Sequence, residues 1–322
     1  MAPLLKRIAK TLAAIPLLAL AVACEAPRDT ASPVDEARTA PSLQVITTVL
    51  PLTLFTEAIA GDCARVVPLL PVGADPHSFQ ARPADLARLR RADVLVINGL
   101  GLERFLLGLR AAADNSQLRV IDSSQGIKPL PLEPLHAAHH GHAEGQPGAA
   151  PDPHIWLDPR LAMQQVSTIR DGLVAADPSC AEGYRSRARA YLAELKQLDD
   201  ELAATLEPVA GRTVVGFHAA LAYFAHRYRL HADALVALPQ DQPTPGDLQR
   251  LAQVLQAQQV RGVLQEPGAG SAALKALAAD LDLKLAVFDP LAVLSAGERA
   301  DAGLYGRVMR RNGRAVLSTL QP

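Results

Sequence analysis

Cysteines and aromatic residues are few in this sequence, and neither sign of charge is in excess. Its three cysteines, Cys24, Cys63 and Cys180, form no Cys-X-X-Cys pair, which excludes zinc ribbons, thioredoxin-type redox motifs and cysteine-ligated clusters. The 32 Lys and Arg residues nearly balance the 33 Asp and Glu residues, for a net charge of -1, so no basic surface for nucleic acid is expected. Any metal ion must therefore be bound by His, Asp or Glu side chains.

Several enzyme signatures are also missing. The sequence has no His-Glu-X-X-His motif, no Gly-X-Ser-X-Gly elbow and no Gly-rich phosphate loop ending in Gly-Lys-Ser or Gly-Lys-Thr. Gly99-Leu100-Gly101 lacks the third glycine of a dinucleotide fingerprint. One Gly-rich stretch, Gly268-Ala269-Gly270-Ser271, precedes a predicted helix and is a minor candidate for an anion site.

The first 23 residues have the pattern of a secretory signal peptide. Three basic residues precede an apolar run, residues 11–23, that is shorter than the roughly 20 residues of a membrane-spanning helix. The small residues before Cys24 fit both ordinary signal-peptidase cleavage and lipidation of Cys24, and both routes stay open. Residues 24–42 are expected to be a tether. We therefore expect a periplasmic or cell-envelope protein whose membrane contact would be a lipid on Cys24.

Strand-like and helix-like segments alternate from residue 43 onwards. This alternation predicts an α/β fold of mainly parallel sheets with helical crossovers. The length fits about two domains of roughly 150 residues, and we predict two similar lobes, residues 43–178 and 211–322. The predicted strands are residues 43–49, 65–70, 93–98, 118–122, 213–216, 262–265 and 283–288.

A continuous helical pattern separates the two lobes. Apolar residues recur at helical spacing from Ser179 to Glu207, and Pro208 and Gly211 end the pattern. We predict one long connecting helix at residues 179–208, although the periodicity equally allows a helix that belongs to one lobe. Near its start, Cys180 is expected either to form a disulfide with Cys63 outside the cytoplasm or to remain, like Cys63, a buried free thiol.

Residues 123–151 interrupt the alternation with a segment rich in Pro, Gly and His. A loop of this length inside a compact domain is usually functional or disordered, and clustered imidazoles bind metal ions. We interpret the segment as a metal-collecting loop, with a solvated linker as the alternative. Its histidines, four of the nine in the chain, are His136, His139, His140 and His142.

Three other histidines and one aspartate lie where α/β sheets bind their ligands. His77, His218 and Asp289 follow predicted strands, and His154 precedes a predicted helix. Side chains after parallel strands share one edge of the sheet. Three neutral imidazoles and one carboxylate form a four-coordinate set that Zn2+ accepts, whereas Mn2+ favours more oxygen ligands. The sequence therefore predicts a Zn2+ site at these four residues.

Four acidic residues lie close to the candidate ligands in sequence. Asp75, Asp152 and Asp158 are placed to accept the second ring N–H of a ligand histidine, and the alternative for each is a turn or a helix cap. We favour the cap for Asp158. Glu266, at another strand end, is expected to support the site, with replacement of Asp289 as the alternative.

These motifs, taken in order, resemble the metal-binding receptors of bacterial ABC importers, and most closely the zinc-uptake (ZnuA-like) type. The likeness extends from residue 43 to residue 322. Ala219 and Ala292 depart from the family pattern, which often has Asp and Gly there, without removing a ligand. The matching stretches are residues 73–77, 154–159, 216–218, 266–267 and 289–291.

The resemblance implies two similar lobes joined by a long rigid helix, with one metal ion in the cleft. It assigns His77 and His154 of the first lobe and His218 and Asp289 of the second as the ligands of Zn2+. His218 favours zinc, because manganese-type relatives tend to have Glu at this place. The cargo would pass to a membrane permease, after small movements of the lobes.

We expect a monomer that is not an enzyme and does not bind nucleic acid. Metal binding should weaken on acidification, because imidazole must be neutral to coordinate. Three alternatives stay open at this point. They are a manganese receptor of the same family, a surface adhesin on the same scaffold, and a zinc-dependent hydrolase with Glu266 as general base.

Overall fold

The computed structural model describes residues 43–132, 150–238, 242–267, 272–295 and 297–321. Residues 40–322 form one compact unit, and the predicted lobe boundaries at 178 and 211 stay predictions. The predicted signal peptide and tether lie outside the described residues. So do Cys24, the four clustered histidines from His136 to His142, and the stretch from Gly268 to Ser271.

The first half of the chain forms one parallel sheet. Its strands are β1 (Leu43–Thr47), β2 (Ala64–Pro68), β3 (Val94–Ile97) and β4 (Arg119–Asp122), in the order β2-β1-β3-β4. Val45, Val94 and Leu95 are fully buried, as expected for apolar strands covered on both faces. The helices between the strands are α1 (Leu50–Ala60), α2 (Pro83–Leu89) and α3 (Leu106–Ala113).

The second half repeats this arrangement of strands. It forms two parallel pairs, β5 (Thr213–His218) with β6 (His231–Val236), and β7 (Gly262–Gln265) with β8 (Lys284–Val287). Since β5 lies beside β7, the strands follow one another as β6, β5, β7, β8, the same order as in the first half. The helices of this half are α6 (Ala222–Arg227), α7 (Pro245–Ala257), α8 (Ala272–Asp280) and α9 (Leu304–Leu320). The prediction of a mixed α/β fold with parallel sheets is confirmed.

One long helix joins the halves. Helix α4 (Pro159–Ala176) leads into α5 (Ala181–Leu206), whose 26 residues span about 39 Å at 1.5 Å per residue. Helix α5 packs against α1 and α4 from the first half and against α9 from the second. Helix α5 is therefore the predicted connecting helix, and it packs against both halves and not against one alone.

The largest cluster of buried apolar residues includes members of both halves and of α5. Phe55 of α1 packs against Tyr305 of α9, with ring centroids 5.1 Å apart and planes at 71°, and against Tyr191 of α5. All three rings are nearly or fully buried. Edge-to-face aromatic pairs add to the free energy of burial, so these contacts stabilise the junction of the halves.

A buried carboxylate on α5 adds polar contacts at the same junction. Asp199, 2% exposed, accepts hydrogen bonds from Arg160 Nε of α4 at 3.1 Å and from Arg227 Nε of α6 at 2.8 Å. The Asp199 carboxylate therefore binds one arginine from each half, Arg160 from the first and Arg227 from the second. Charge-assisted bonds of this kind are stronger than neutral ones.

A disulfide between Cys63 and Cys180 attaches the start of α5 to the end of α1, with their Cα atoms 6.1 Å apart. Cys63 directly precedes β2 and thus lies at the N-terminal edge of the sheet. The candidate ligands follow the opposite, C-terminal edge. In the described part of the chain, none of the helices is long and apolar enough to cross a membrane.

Replacement of both bridged cysteines, Cys63→Ser with Cys180→Ser, is expected to lower the free energy of unfolding by roughly 2–4 kcal/mol. The bridge joins residues 117 positions apart, and without it the unfolded chain regains conformational freedom. Urea unfolding of the variant and of the oxidised protein measures the difference, with the reduced protein as a control. Full alkylation of both thiols in the protein purified without reductant would contradict the bridge.

Candidate metal centre

Three histidines from distant parts of the chain meet at the C-terminal ends of the strands. His77 lies in the loop after β2, His154 lies between β4 and α4, and His218 ends β5. One ligand nitrogen of each lies within 4.8 Å of the other two. The ring centroids are 5.2, 5.4 and 6.1 Å apart. Within the described ranges, this is the one group of three or more His, Cys, Asp or Glu residues with such spacing.

His154 is oriented by the aspartate two residues before it. Oδ1 of Asp152 accepts hydrogen bonds from the backbone N–H of His154 at 2.9 Å and from its ring Nδ1 at 2.7 Å. Both residues are buried, at 2% and 0% exposure. Because an ionised carboxylate can only accept, Nδ1 carries the hydrogen and Nε2 keeps a free lone pair.

His218 is oriented by a carboxylate on the neighbouring strand. Its Nδ1 is hydrogen-bonded to Oε1 of Glu266, the residue that follows β7. Its Nε2 is buried and has no hydrogen-bond partner among the described residues. A buried polar atom without a partner costs free energy, and a metal ion bound to Nε2 would remove that cost.

His77 is the most exposed histidine of the three. Its backbone N–H donates to Asp75 at 3.0 Å, as does Ser78 Oγ at 2.9 Å, so Asp75 shapes the loop and does not hold the imidazole ring. Nε2 of His77 lies 3.2 Å from Nε2 of His154. Burial lowers the pKa of His77 to about 4, and the electrostatic effect of the neighbouring His154 is the second cause. At neutral pH His77 is therefore uncharged, the form that binds metals.

Asp289 follows β8 at the same edge but lies outside the cluster of three imidazoles. Its Oδ1 accepts from the backbone N–H of Leu291 and its Oδ2 from Ser295 Oγ, each at 2.8 Å. Asn312 fixes its backbone through two hydrogen bonds of 2.9 and 2.8 Å. Burial raises the pKa of this carboxyl group. Asp289 as the fourth ligand stays a proposal.

The chemistry of these residues fits a divalent cation that prefers nitrogen ligands. Nε2 of His154 lies beside His77 and Nε2 of His218 is buried without a partner, while two carboxylates, Asp152 and Glu266, hold the Nδ1 atoms of these two rings. Such carboxylate–histidine pairs fix the tautomer and raise the basicity of a ligand. Asp158 has a different role, since it caps α4 by accepting the backbone N–H of Arg160 at 2.8 Å.

Three residues that hold the His154 segment were not predicted. Asn98 donates to Pro153 O at 2.9 Å, Tyr223 to Asp152 O at 2.8 Å, and Tyr305 to Trp156 O at 2.7 Å. These partners lie 55, 71 and 149 positions apart in the sequence, so no local pattern reveals them. Of the three, only Asn98 could have been predicted to lie near the site, because it is a polar residue directly after a parallel strand.

Residues 45–318 match the family model ZnuA, described as the periplasmic component A of the zinc-uptake complex. The zinc-binding lipoprotein AdcA of Streptococcus pneumoniae is 29% identical over 278 residues, which cover 86% of this chain and 56% of AdcA. The chain thus spans about half the length of AdcA.

Solved structures share the fold over nearly the same range. A crystal structure of ZnuA has a TM-score of 0.73 and 30% identity, and the match covers 87% of this chain and 99% of that one. The Zn(II)-bound ZnuA-like domain of S. pneumoniae AdcA has a TM-score of 0.72 and 28% identity, with 87% and 99% covered. On this evidence the chain belongs to the ZnuA family of zinc-uptake solute-binding proteins, which are receptors of ABC importers and not enzymes.

Proposed function

We propose that this protein is an extracytoplasmic receptor that binds one Zn2+ ion through His77, His154, His218 and Asp289 and delivers it to the membrane permease of an ABC importer. The observation that carries the proposal is the convergence of three imidazole nitrogens, one of them buried and unpaired, at the shared edge of the strands. Family membership supports it, as does the Zn(II)-bound state of a structural relative.

Zinc is favoured over manganese by the donor atoms. Three nitrogens and one carboxylate suit a four-coordinate Zn2+, whereas Mn2+ prefers a larger share of oxygen ligands. The carboxylates of Asp152 and Glu266 are engaged with histidine rings, so they support nitrogen ligands and do not add oxygen ligands in this arrangement.

Delivery to a permease, export by residues 1–23 and action as a monomer belong to the same proposal. A lipid on Cys24 would retain the receptor at the membrane surface. The histidines at 136, 139, 140 and 142 would collect zinc. An adhesin on this scaffold would instead show binding to a host protein that survives chelation of the metal.

Removal of residues 136–142 is expected to leave one tight zinc site, because the cleft ligands lie elsewhere in the chain. Addition of His154→Ala should weaken that site by more than roughly 100-fold, since it removes a ligand. Titration of the chelator-stripped protein with zinc and with manganese, in competition with a metal chelator, measures both effects.

The matched control is His226→Ala, which removes an exposed histidine of α6 outside the cluster. This variant should bind zinc like the parent protein. Loss of tight binding on deletion of residues 136–142 alone would place the affinity in that segment and refute the cleft site.

Glu266→Gln is expected to lower zinc affinity by about 10- to 100-fold, because the neutral amide holds His218 with a weaker hydrogen bond and no charge. The change is nearly isosteric, so the unfolding free energy of the metal-free protein should change much less. Calorimetric zinc titration tests the first expectation, and urea unfolding tests the second. Unaltered affinity would show that the bond to His218 has no role in binding.

The metal-free protein is expected to lose stability as the pH falls from about 6.5 towards 4. The pKa of His77 is lowered from 6.5 to about 4 in the folded state, so the unfolded chain takes up this proton first, and the loss is roughly 1.4 kcal/mol for each pKa unit. In His77→Gln this part of the pH dependence should vanish. Urea unfolding at pH 7, 6 and 5 compares the two proteins, and parallel stability curves would contradict the lowered pKa.

A further inference from the structure

The segment that carries His154 makes three side-chain hydrogen bonds with the second half of the chain, although it lies between two first-half elements. Trp156 Nε1 donates to Pro290 O at 2.8 Å, directly beside Asp289. Tyr305 Oη of α9 donates to Trp156 O at 2.7 Å. The Trp156 ring lies edge-on to the His154 imidazole, with centroids 5.4 Å apart. Contacts from α9 and from the loop after β8 therefore set the position of a first-half ligand.

Tyr223 adds a contact of the same kind from α6. This buried residue, 2% exposed, donates its hydroxyl hydrogen to Asp152 O at 2.8 Å and accepts the backbone N–H of Leu130 at 3.0 Å. Asp152 in turn holds both the backbone and the ring of His154. An unbroken series of hydrogen bonds thus leads from α6 to the imidazole.

Helix α6 is close in sequence to the second-half ligand. It begins at Ala222, four positions after His218, and Ala220 N–H bonds to His218 O at 2.8 Å in the intervening turn. The Tyr223 ring packs with Ile127 and Ile155. Helix α6 therefore follows closely on the end of β5, which carries His218, and also contacts the segment of His154. These two links limit the distance between the two histidines.

We propose that Tyr223 and Tyr305 are positioning residues of the zinc site, whose hydroxyl groups hold the His154 segment on the second half so that His154 and His218 face each other before the metal arrives. This inference rests on the proposed function. It changes the expected division of ligands: instead of two from each half, His154 is grouped with His218 and Asp289, and His77 alone stays with the first half.

The physical reason is preorganisation. A ligand pair that is already in place leaves less ordering to be done on binding, so the metal binds more tightly and leaves more slowly. Without the hydroxyls, the segment would keep one side-chain hydrogen bond to the second half, Trp156 Nε1 to Pro290 O at 2.8 Å. Its first-half bonds would also remain, from Asn98 Nδ2 to Pro153 O at 2.9 Å and from Asp152 N to Leu130 O at 2.9 Å. His154 would then sample positions away from His218.

The test uses the full chain with Tyr223→Phe, Tyr305→Phe and the double variant. The matched control is Tyr228→Phe, which removes another buried tyrosine hydroxyl, one that donates to Asp199 at 3.4 Å. Each single change at Tyr223 or Tyr305 should weaken zinc binding by about 10-fold, and the control should bind like the parent. The visible absorption spectrum of bound Co2+ should change in the two test variants and not in the control.

A double-mutant cycle separates positioning from general destabilisation. The effect of Tyr223→Phe on zinc affinity should disappear in a His154→Ala background and persist in a His77→Ala background, because the hydroxyl acts through His154 alone. An equal effect in both backgrounds, or parental affinity and Co2+ spectrum in Tyr223→Phe and Tyr305→Phe, would overturn the inference. If His154→Ala itself binds zinc like the parent, the proposed zinc site fails instead.

Discussion

The hydrogen bond from a ring nitrogen to a carboxylate is the interaction on which the whole centre depends. His154 and His218 each use Nδ1 in this way, towards Asp152 and Glu266, so Nε2 of each ring is left to bind a metal ion. Since His154 Nε2 then lacks a hydrogen, the 3.2 Å contact with His77 Nε2 is made by a hydrogen on His77. A metal ion would replace that shared hydrogen and satisfy His218 Nε2 at the same time.

The metal-free arrangement stores an energetic cost that a cation removes. Three imidazoles lie close together, and burial and the rings of His154 and His218 lower the pKa of His77. Protons are therefore poor competitors for His77 at neutral pH. A divalent ion brings its charge to imidazole rings that are already neutral, close to the carboxylates of Asp152 and Glu266, so binding and charge neutralisation coincide.

Patterns along the chain were sufficient to predict the strand ends that carry candidate ligands, but not the long-range hydrogen bonds that hold the segments around them. His77 and His218 were predictable because parallel strands place their C-terminal ends along one edge, and Gly262–Gln265 was predicted to the residue. Strand β6 was missed because its first residues, from His231, are exposed and lack a β-branched run. The hydroxyl bonds of Tyr223 and Tyr305 join segments 71 and 149 residues apart, a distance over which periodicity carries no information.

The same long-range contacts limit how the centre can open. Separating His154 from His218 would break the hydroxyl bond of Tyr223 and expose atoms that are buried now, each at the cost of an unsatisfied polar group. Rotation of one half against the other would also disturb Asp199, which accepts from both halves. Moving His77 disturbs less, because half of the residues of its loop are exposed and the bonds of Asp75 lie within the loop itself. The hydrogen bonds therefore make His77 the ligand whose displacement costs least.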